Sequence, residues 1–243
     1  MLTEPTPLLL NLILGVSACV STITGFGYAL IAMPFLVLLL NPVVAAPVVL
    51  LSATPLTLVL VVECYRQMSP RRILHLLLFA LLGMPLGVRG LASLPSATIQ
   101  TIVGATSIAA VLVLVIRRGE PLVREGVARS VAGMLSGMIG GVSGMTGPPV
   151  VLLGLKQRWA HGGFRADLIG YFFLLHGSIL VAFGQVGLLD GGTLDSTLHS
   201  APGITVGLVL GLWMKRRVDG EIYRRLAIGL VAVGGISAIV LRH

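Results

Sequence analysis

Two glycine-rich stretches contain the residue types best suited to bind an anion in apolar surroundings. They read Thr24-Gly25-Phe26-Gly27 and Ser143-Gly144-Met145-Thr146-Gly147-Pro148. A helix that begins within a membrane exposes unpaired N–H groups and partial positive charge, so it can bind an oxyanion without a buried cation. Glycine lets the backbone approach a ligand closely, and threonine and serine hydroxyls add donors. We therefore predict an anion site formed by Thr24, Gly25, Phe26, Gly27, Ser143, Gly144, Thr146 and Gly147. The alternative is that the glycines only allow helices to pack closely.

One histidine, His176, lies in the middle of an apolar run, residues 168–186. An ionisable side chain is costly there, so a functional role is the first hypothesis. The imidazole could carry a coupling proton or contact an anion. We predict that His176 belongs to the anion site. The alternative is a neutral histidine that hydrogen-bonds to a neighbouring helix.

Hydroxyl-bearing residues in two apolar runs are candidates for lining a cavity. Ser52, Thr54 and Thr57 lie in residues 43–63, which two prolines interrupt, so freed carbonyl groups and hydroxyls can face inward. Ser178 lies in the same run as the histidine. The alternative is that these hydroxyls only satisfy the backbone of their own helices.

The two cysteines give no sign of a metal site. Cys19 and Cys64 lie within or at the end of apolar runs, and neither belongs to a CxxC pair or a Cys/His cluster. We therefore predict no metal, no disulfide and no cofactor.

Composition sets the class of protein that must position these residues. The chain is 56% hydrophobic and 11% charged, with a mean hydropathy of +1.00. A water-facing surface around one core cannot accommodate this composition, so the solvent must be largely lipid. Backbone groups in lipid must be satisfied internally, which favours helices. The predicted fold is an all-α, polytopic transmembrane helical bundle.

Ten apolar segments follow one another along the chain. They are 8–24, 28–40, 43–63, 73–91, 98–116, 128–142, 147–155, 168–186, 198–214 and 226–241. Crossing a membrane takes about 20 mostly apolar residues, and six segments are long enough: 43–63, 73–91, 98–116, 168–186, 198–214 and 226–241. The remaining four form two pairs, each joined by a glycine-rich stretch, and we predict that each pair is a broken-helix hairpin of two short arms.

Basic residues indicate the orientation of the chain. The formal charge of +8 is concentrated in loops 64–72, 117–129, 156–166 and 215–225. Short basic loops lie on the cytoplasmic side, so these cations orient the chain, and no nucleic-acid partner is expected. Loop 187–197 has acidic residues only, so it belongs on the opposite side. We predict that both termini are non-cytoplasmic.

This orientation predicts two inverted-topology repeats, each a broken-helix hairpin plus three spanning helices. The first repeat covers residues 8–117, a cytoplasmic linker covers 118–127, and the second repeat covers 128–242. The first hairpin enters from outside and the second from the cytoplasm. Such inverted repeats are typical of secondary transporters.

The arrangement resembles the TauE/SafE family of sulfite exporter-like membrane permeases. The matching pieces are Gly25-Phe26-Gly27 with Pro34, Gly144 with Gly147-Pro148-Pro149, and Pro202-Gly203 with Gly207, Gly211 and residues 215–226. The resemblance implies a multi-pass permease of the bacterial inner membrane. It also implies a small, sulfur-containing anion as substrate, such as sulfite, a sulfonate or sulfoacetate.

These expectations combine into one mechanism. A small anion binds between the two glycine-rich stretches, and the halves rock to expose it to either side. An ion gradient, the membrane potential or the substrate's own gradient would drive the cycle, and a proton or sodium ion is the candidate coupling ion. No GxxxxGK[ST] motif occurs, so ATP does not drive the cycle. The expected partners are the anion and the lipid bilayer, and a homo-oligomer is compatible with the sequence.

Two other classes of function remain as alternatives. Gly141-Val142-Ser143-Gly144 matches the GxSG motif of a rhomboid-like intramembrane serine protease, with His176 as the general base of a Ser-His dyad. A non-transport membrane scaffold is the other alternative. We expect no enzyme activity, because the first half repeats the architecture without a GxSG motif.

Overall fold

The computed structural model describes residues 7–115, 124–215 and 217, together with 229, 231–232, 234–238 and 240. Every regular element in this part of the chain is a helix, which confirms the all-α prediction. The helices are α1 (Pro7–Thr24), α2 (Tyr28–Leu39), α3 (Pro42–Cys64), α4 (Pro70–Ser93), α5 (Ser96–Val115), α6 (Glu125–Ser143), α7 (Gly147–Lys156), α8 (His161–Gln185), α9 (Gly191–His199) and α10 (Ala201–Met214). A short 3-10 helix, Tyr65–Gln67, follows α3.

Four of the described helical stretches are long and apolar enough to cross a membrane. They are Pro7–Thr24, Pro42–Gln67, Pro70–Ser93 and Gly162–Gln185. Helices α9 and α10 add a fifth span if this pair, bent by 45°, is counted as one. The described residues therefore form a multi-pass membrane bundle.

The six predicted spans have different outcomes. Segments 43–63, 73–91 and 168–186 fall within helices of this set, and 198–214 coincides with part of the bent pair. Segment 98–116 corresponds to α5, a helix of 20 residues, Ser96–Val115. Segment 226–241 is described in part, and its described residues, 229, 231–232, 234–238 and 240, are helical. The chain ends and most of the predicted linker 118–127 lie outside the described residues. The last residues of that linker belong to α6, which begins at Glu125.

The two hairpins have unequal arms. The first arms, α1 and α6, have 18 and 19 residues, whereas α2 and α7 have 12 and 10. At about 1.5 Å per residue, a first arm is about 27 Å long, close to the thickness of the hydrocarbon core. The predicted segments 8–24 and 128–142 therefore lie within the first arms, and α1 is by itself long enough to cross the membrane.

A glycine in the left-handed region ends each long arm. Gly25 has a φ of 83° and Gly144 a φ of 70°. A residue with a Cβ rarely adopts this conformation, so glycine is the usual helix terminator there. The amide of Gly25 donates to Ser21 O at 2.8 Å and that of Gly144 to Gly140 O at 2.7 Å. We call residues 24–28 the first tip and residues 143–147 the second tip.

Helix α8 begins at His161, well before the predicted segment 168–186. Its first turns carry Arg165, which the sequence pattern assigned to a loop, and Asp167. Asp167 is 2% exposed, accepts a hydrogen bond from the Ser69 amide and forms an ion pair with Arg72. Because partners satisfy these charges, the helix extends past the end of the apolar run.

The predicted segment 198–214 is broken at Ser200. Asp190 caps α9 by accepting hydrogen bonds from the hydroxyl and the amide of Thr193. These bonds hold the pKa of the Asp190 carboxyl below its ordinary value. Helix α10 then starts at Ala201 with a proline in its first turn, a position that proline favours.

Glycine spacing brings two helix pairs into backbone contact. On α6, a Cβ at Gly133, Gly137 or Gly141 would collide with backbone atoms of α4. On α10, a Cβ at Gly203, Gly207 or Gly211 would collide with α1 in the same way. Small residues four apart are the usual device for such contacts in membranes. These two rows of glycines therefore serve close helix packing, the alternative role considered for glycines in the sequence analysis.

The centre of the bundle lies between α3 and α8. In each of these helices, 61% of the most apolar window is buried within the protein, against 33% for α4. Their buried side chains include Leu50, Leu56, Tyr171 and Phe183. The tips therefore pack against these two central helices.

Candidate functional site

The two tips meet at one small cavity against the central helices. The first tip and the first turn of α2 supply one side, and the second tip supplies the facing side. Helices α1, α3 and α8 close the rest. The lining residues are Ser21, Gly25, Phe26, Gly27, Tyr28, Ala29, Leu30, Ala53, Thr57, Met145, Thr146, Gly147, Phe172 and His176.

The cavity is small and partly enclosed. Its volume is about 30 Å³. A water molecule occupies about 30 Å³ of liquid, so the space suits water better than an ion of several heavy atoms. Binding of such an anion therefore requires the tips to move apart.

The cavity contains six of the nine predicted anion-site residues. These are Gly25, Phe26, Gly27, Thr146, Gly147 and His176. Thr24, Ser143 and Gly144 do not line it. Of the predicted cavity-lining hydroxyl residues, Thr57 lines it, whereas Ser52, Thr54 and Ser178 lie outside.

Thr24 and Ser143 perform the same local task in the two tips. The Thr24 hydroxyl lies within donating distance of two backbone carbonyls, Phe26 O at 2.6 Å and Val20 O at 2.9 Å, and accepts from the Phe26 amide at 3.4 Å. The Ser143 hydroxyl donates to Ile139 O at 2.8 Å and accepts from the Met145 amide at 3.4 Å. Each hydroxyl therefore holds the chain where its helix ends.

Helix N-termini give the cavity its partial positive charge. Helix α2 begins at Tyr28 and α7 at Gly147, both on the cavity wall. The first amides of a helix have no partner within it and attract anions. In α7, Pro148 and Pro149 have no N–H group, so α2 offers the larger number of amide donors.

The second tip is held from behind by two buried hydroxyls. Tyr171 OH donates to Ser136 Oγ at 2.8 Å, and Ser136 Oγ donates to Thr146 O at 2.5 Å. All three residues are buried. The sequence analysis missed Ser136 and Tyr171, because isolated hydroxyls in apolar runs give only a weak signal.

His176 lies beside the second tip. Its Nε2 is 3.1 Å from Thr146 Oγ1, and its ring stacks on Phe172 with centroids 5.9 Å apart. The residue is 5% exposed, and Nδ1 has no hydrogen-bond partner. A buried polar atom without a partner is costly, so Nδ1 is a candidate contact for a ligand or a water molecule.

On the first tip, tyrosine takes the place of histidine. Tyr28 OH donates to Ser52 Oγ at 2.8 Å, and Ser52 Oγ lies 2.6 Å from Val48 O. Ser52 therefore supports a lining residue from outside the cavity. Thr54 and Ser178 donate to the carbonyls of Leu50 and Leu174 in their own helices. These two hydroxyls therefore satisfy backbone carbonyls of their own helices, as the alternative interpretation expected.

A cation that the sequence analysis missed lies against the first tip. Arg165 of α8 packs over Gly25, and its Nη2 donates to Thr22 O at 2.8 Å. Its position at the edge of an apolar run is typical of an interfacial cation, so sequence alone gave no reason to place it at the site.

A larger hollow of about 800 Å³ lies between α5, α6 and α7. Alanine, valine, leucine and proline side chains form most of its wall, and the charged members are Arg124 and Lys156. It does not include any tip residue or His176. Among the described residues, no group of three or more His, Cys, Asp and Glu side chains could hold a metal ion.

Comparison with known proteins identifies the family. Residues 10–238 match the protein family described as sulfite exporter TauE/SafE. No curated protein and no solved structure matches the chain. The family match covers nearly the whole chain, including both tips and the central helices between them. The chain therefore belongs to the sulfite exporter TauE/SafE family.

Proposed function

We propose that this protein is a secondary transporter that binds a small, sulfur-containing anion, such as sulfite, a sulfonate or sulfoacetate, between its two tips. The observation that carries the proposal is the convergence of two helix N-termini on one small cavity within a membrane bundle. Thr57, Thr146 and His176 add polar groups to the same cavity. Membership of a membrane transporter family supports the substrate class.

We further propose that residues 8–117 and 128–242 are inverted repeats. The tips support this proposal, because each ends a long arm with a hydroxyl residue followed by a left-handed glycine. The packing supports it too. Helix α1 packs on α10 and α6 packs on α4, so each first arm contacts the proline- and glycine-containing helix of the other half.

Transport proceeds by alternating access in this proposal. The small cavity is the place where the anion binds, and movement of the tips exposes it to one side at a time. The membrane is the bacterial inner membrane, with both termini on the non-cytoplasmic side. A proton or a sodium ion couples to the anion, and His176 is the candidate proton carrier.

The hydrogen bonds of Ser143 and His176 argue against the protease alternative. His176 Nε2 pairs with Thr146, and the Ser143 hydroxyl bonds the Ile139 carbonyl. A Ser-His dyad needs the serine hydroxyl to donate to the imidazole. Among the described residues, these two side chains have other partners.

Uptake into proteoliposomes tests the proposed function. The vesicles are offered radiolabelled sulfite, thiosulfate, sulfoacetate or taurine, with and without a proton gradient. We expect saturable uptake of at least one probe, weakened by His176→Phe, which keeps a ring on Phe172 but removes both nitrogens. Absence of uptake of all four, in vesicles that contain folded protein, would contradict the proposal.

A further inference from the structure

We propose that Arg165 is an anion-binding residue of the transport site, where it faces the first tip as part of a charged cluster with Glu63 and Lys215. This inference rests on the proposed function and adds a specific cation to it. The cluster joins three helices, because Glu63 lies on α3, Arg165 on α8 and Lys215 at the end of α10.

Arg165 lies next to the cavity wall. Gly25, a lining residue, has no side chain, and a Cβ there would be 2.5 Å from Arg165 Cγ and 3.4 Å from Arg165 Nε. The side chain of Arg165 is 18% exposed, so most of it is enclosed. One glycine therefore separates the guanidinium from the space between the tips.

The guanidinium has unused capacity to donate. Nη2 bonds Thr22 O, one of the carbonyls left free at the end of α1, at 2.8 Å. Nε is buried and has no hydrogen-bond partner. Because the guanidinium carries five N–H donors in a fixed fork, it can bind a further oxyanion without releasing Thr22.

The charge of the cluster points to an anion as the missing partner. The Glu63 carboxylate forms a close ion pair with Lys215, while its other oxygen lies 3.6 Å from Arg165 Nη2. One carboxylate therefore serves two cations, so among the described residues the cluster has a surplus of one positive charge. A partly enclosed surplus charge is costly until a counterion arrives.

A second ionic group on α8 shows the contrast. Arg72 and Asp167 pair one to one, and Asp167 also accepts from the Ser69 amide. That pair is balanced in charge and needs no ligand. Arg165 and Asp167 lie two residues apart on α8, so the surplus of positive charge is local to Arg165 and is not a general feature of this end of the helix.

Glu63 and the anion compete for Arg165 in this arrangement. When the anion binds, its oxygens take the guanidinium, and Glu63 stays with Lys215. Removing the charge of Glu63 therefore strengthens anion binding, whereas removing that of Arg165 weakens it. A purely structural ion pair behaves differently, because loss of either partner damages the same contact.

The test compares the KM for uptake of each radiolabelled probe, namely sulfite, thiosulfate, sulfoacetate and taurine, in proteoliposomes of four variants. Arg165→Gln should raise KM by about tenfold or more, since a charge-assisted hydrogen bond is lost. Arg165→Lys should raise it less, because the charge remains without the fork. Glu63→Gln should lower KM. The control, Arg66→Gln, removes an exposed cation from the 64–72 loop and should leave KM unchanged.

Thermal unfolding in detergent checks that each variant is folded. If Arg165→Gln does not fold, the two single variants Arg165→Lys and Glu63→Gln test whether Arg165 binds the anion. Opposite shifts of KM in the arginine and glutamate variants support the inference. Shifts in the same direction, or an unchanged KM in the arginine variants, overturn it while the proposed function stands. A wild-type protein that takes up none of the probes contradicts the proposed function, and the inference fails with it.

Discussion

The two tips end their helices with the same backbone conformation but differ in the residues that surround them. Each ends a long helix with a hydroxyl residue and a left-handed glycine, yet the first tip is followed by free amides and flanked by Arg165. The second is followed by two prolines, held from behind by Ser136 and paired with His176. The first tip therefore relies on backbone dipoles and a cation, and the second on side chains. Two tips with the same backbone ending thus present an asymmetric site.

The largest expected difference is between Gly25→Ala and Gly144→Ala. Both replacements force a Cβ into the left-handed region, which costs about 1–2 kcal/mol. At Gly25 the new methyl also displaces Arg165, whereas at Gly144 the nearest atom, Ala46 O, is 3.5 Å away. We expect Gly25→Ala to reduce uptake by about tenfold or more, and Gly144→Ala to reduce it much less. Equal losses in proteoliposome uptake would mean that the environments of the tips are equivalent.

An intermediate effect is expected from the hydroxyls behind the tips. Ser136→Ala leaves both Tyr171 OH and Thr146 O without partners, so it should destabilise the protein by about 1–3 kcal/mol. Ser52→Ala leaves only Tyr28 OH without its acceptor, so a smaller loss is expected. Thermal unfolding in detergent measures both. The double variant Ser136→Ala with Tyr171→Phe should recover part of the loss, and failure to recover would argue against this hydrogen-bond chain.

The smallest effect is expected where the tips are alike. Thr24→Val and Ser143→Ala each remove a hydroxyl that bonds its own backbone outside the cavity. We expect a loss of about 0.5–1.5 kcal/mol in stability for each, with the KM for uptake unchanged. A large rise in KM for either variant would contradict this expectation and indicate that the hydroxyl contacts the anion.

Sequence patterns located the tips because their signals are local. Glycine beside threonine or serine, between two apolar runs, marks Gly25 and Gly144 without reference to any other helix. Composition likewise determined the helical class. The sequence also shows the glycines at 133, 137 and 141, but it does not show that they pack against α4.

What the sequence did not predict depends on contacts between distant segments. Arg165 lies on α8 beside the first tip because Glu63, Lys215 and Thr22 come together there, and no local pattern encodes this. The pairing of His176 with Thr146 is similar. The start of α8 at His161, ahead of the predicted segment 168–186, likewise depends on partners from other segments that satisfy its charges.

Filling the cavity tests the central claim, that the anion passes between the tips. Ala29 lines the cavity in the first turn of α2, and Ala97 is exposed on α5, so Ala29→Leu and Ala97→Leu add the same atoms at the two places. Uptake of radiolabelled sulfite, thiosulfate, sulfoacetate and taurine is compared with wild type, after thermal unfolding has established that both variants are folded. The account predicts that Ala29→Leu loses uptake while Ala97→Leu keeps it. Wild-type rate and KM in folded Ala29→Leu would contradict it.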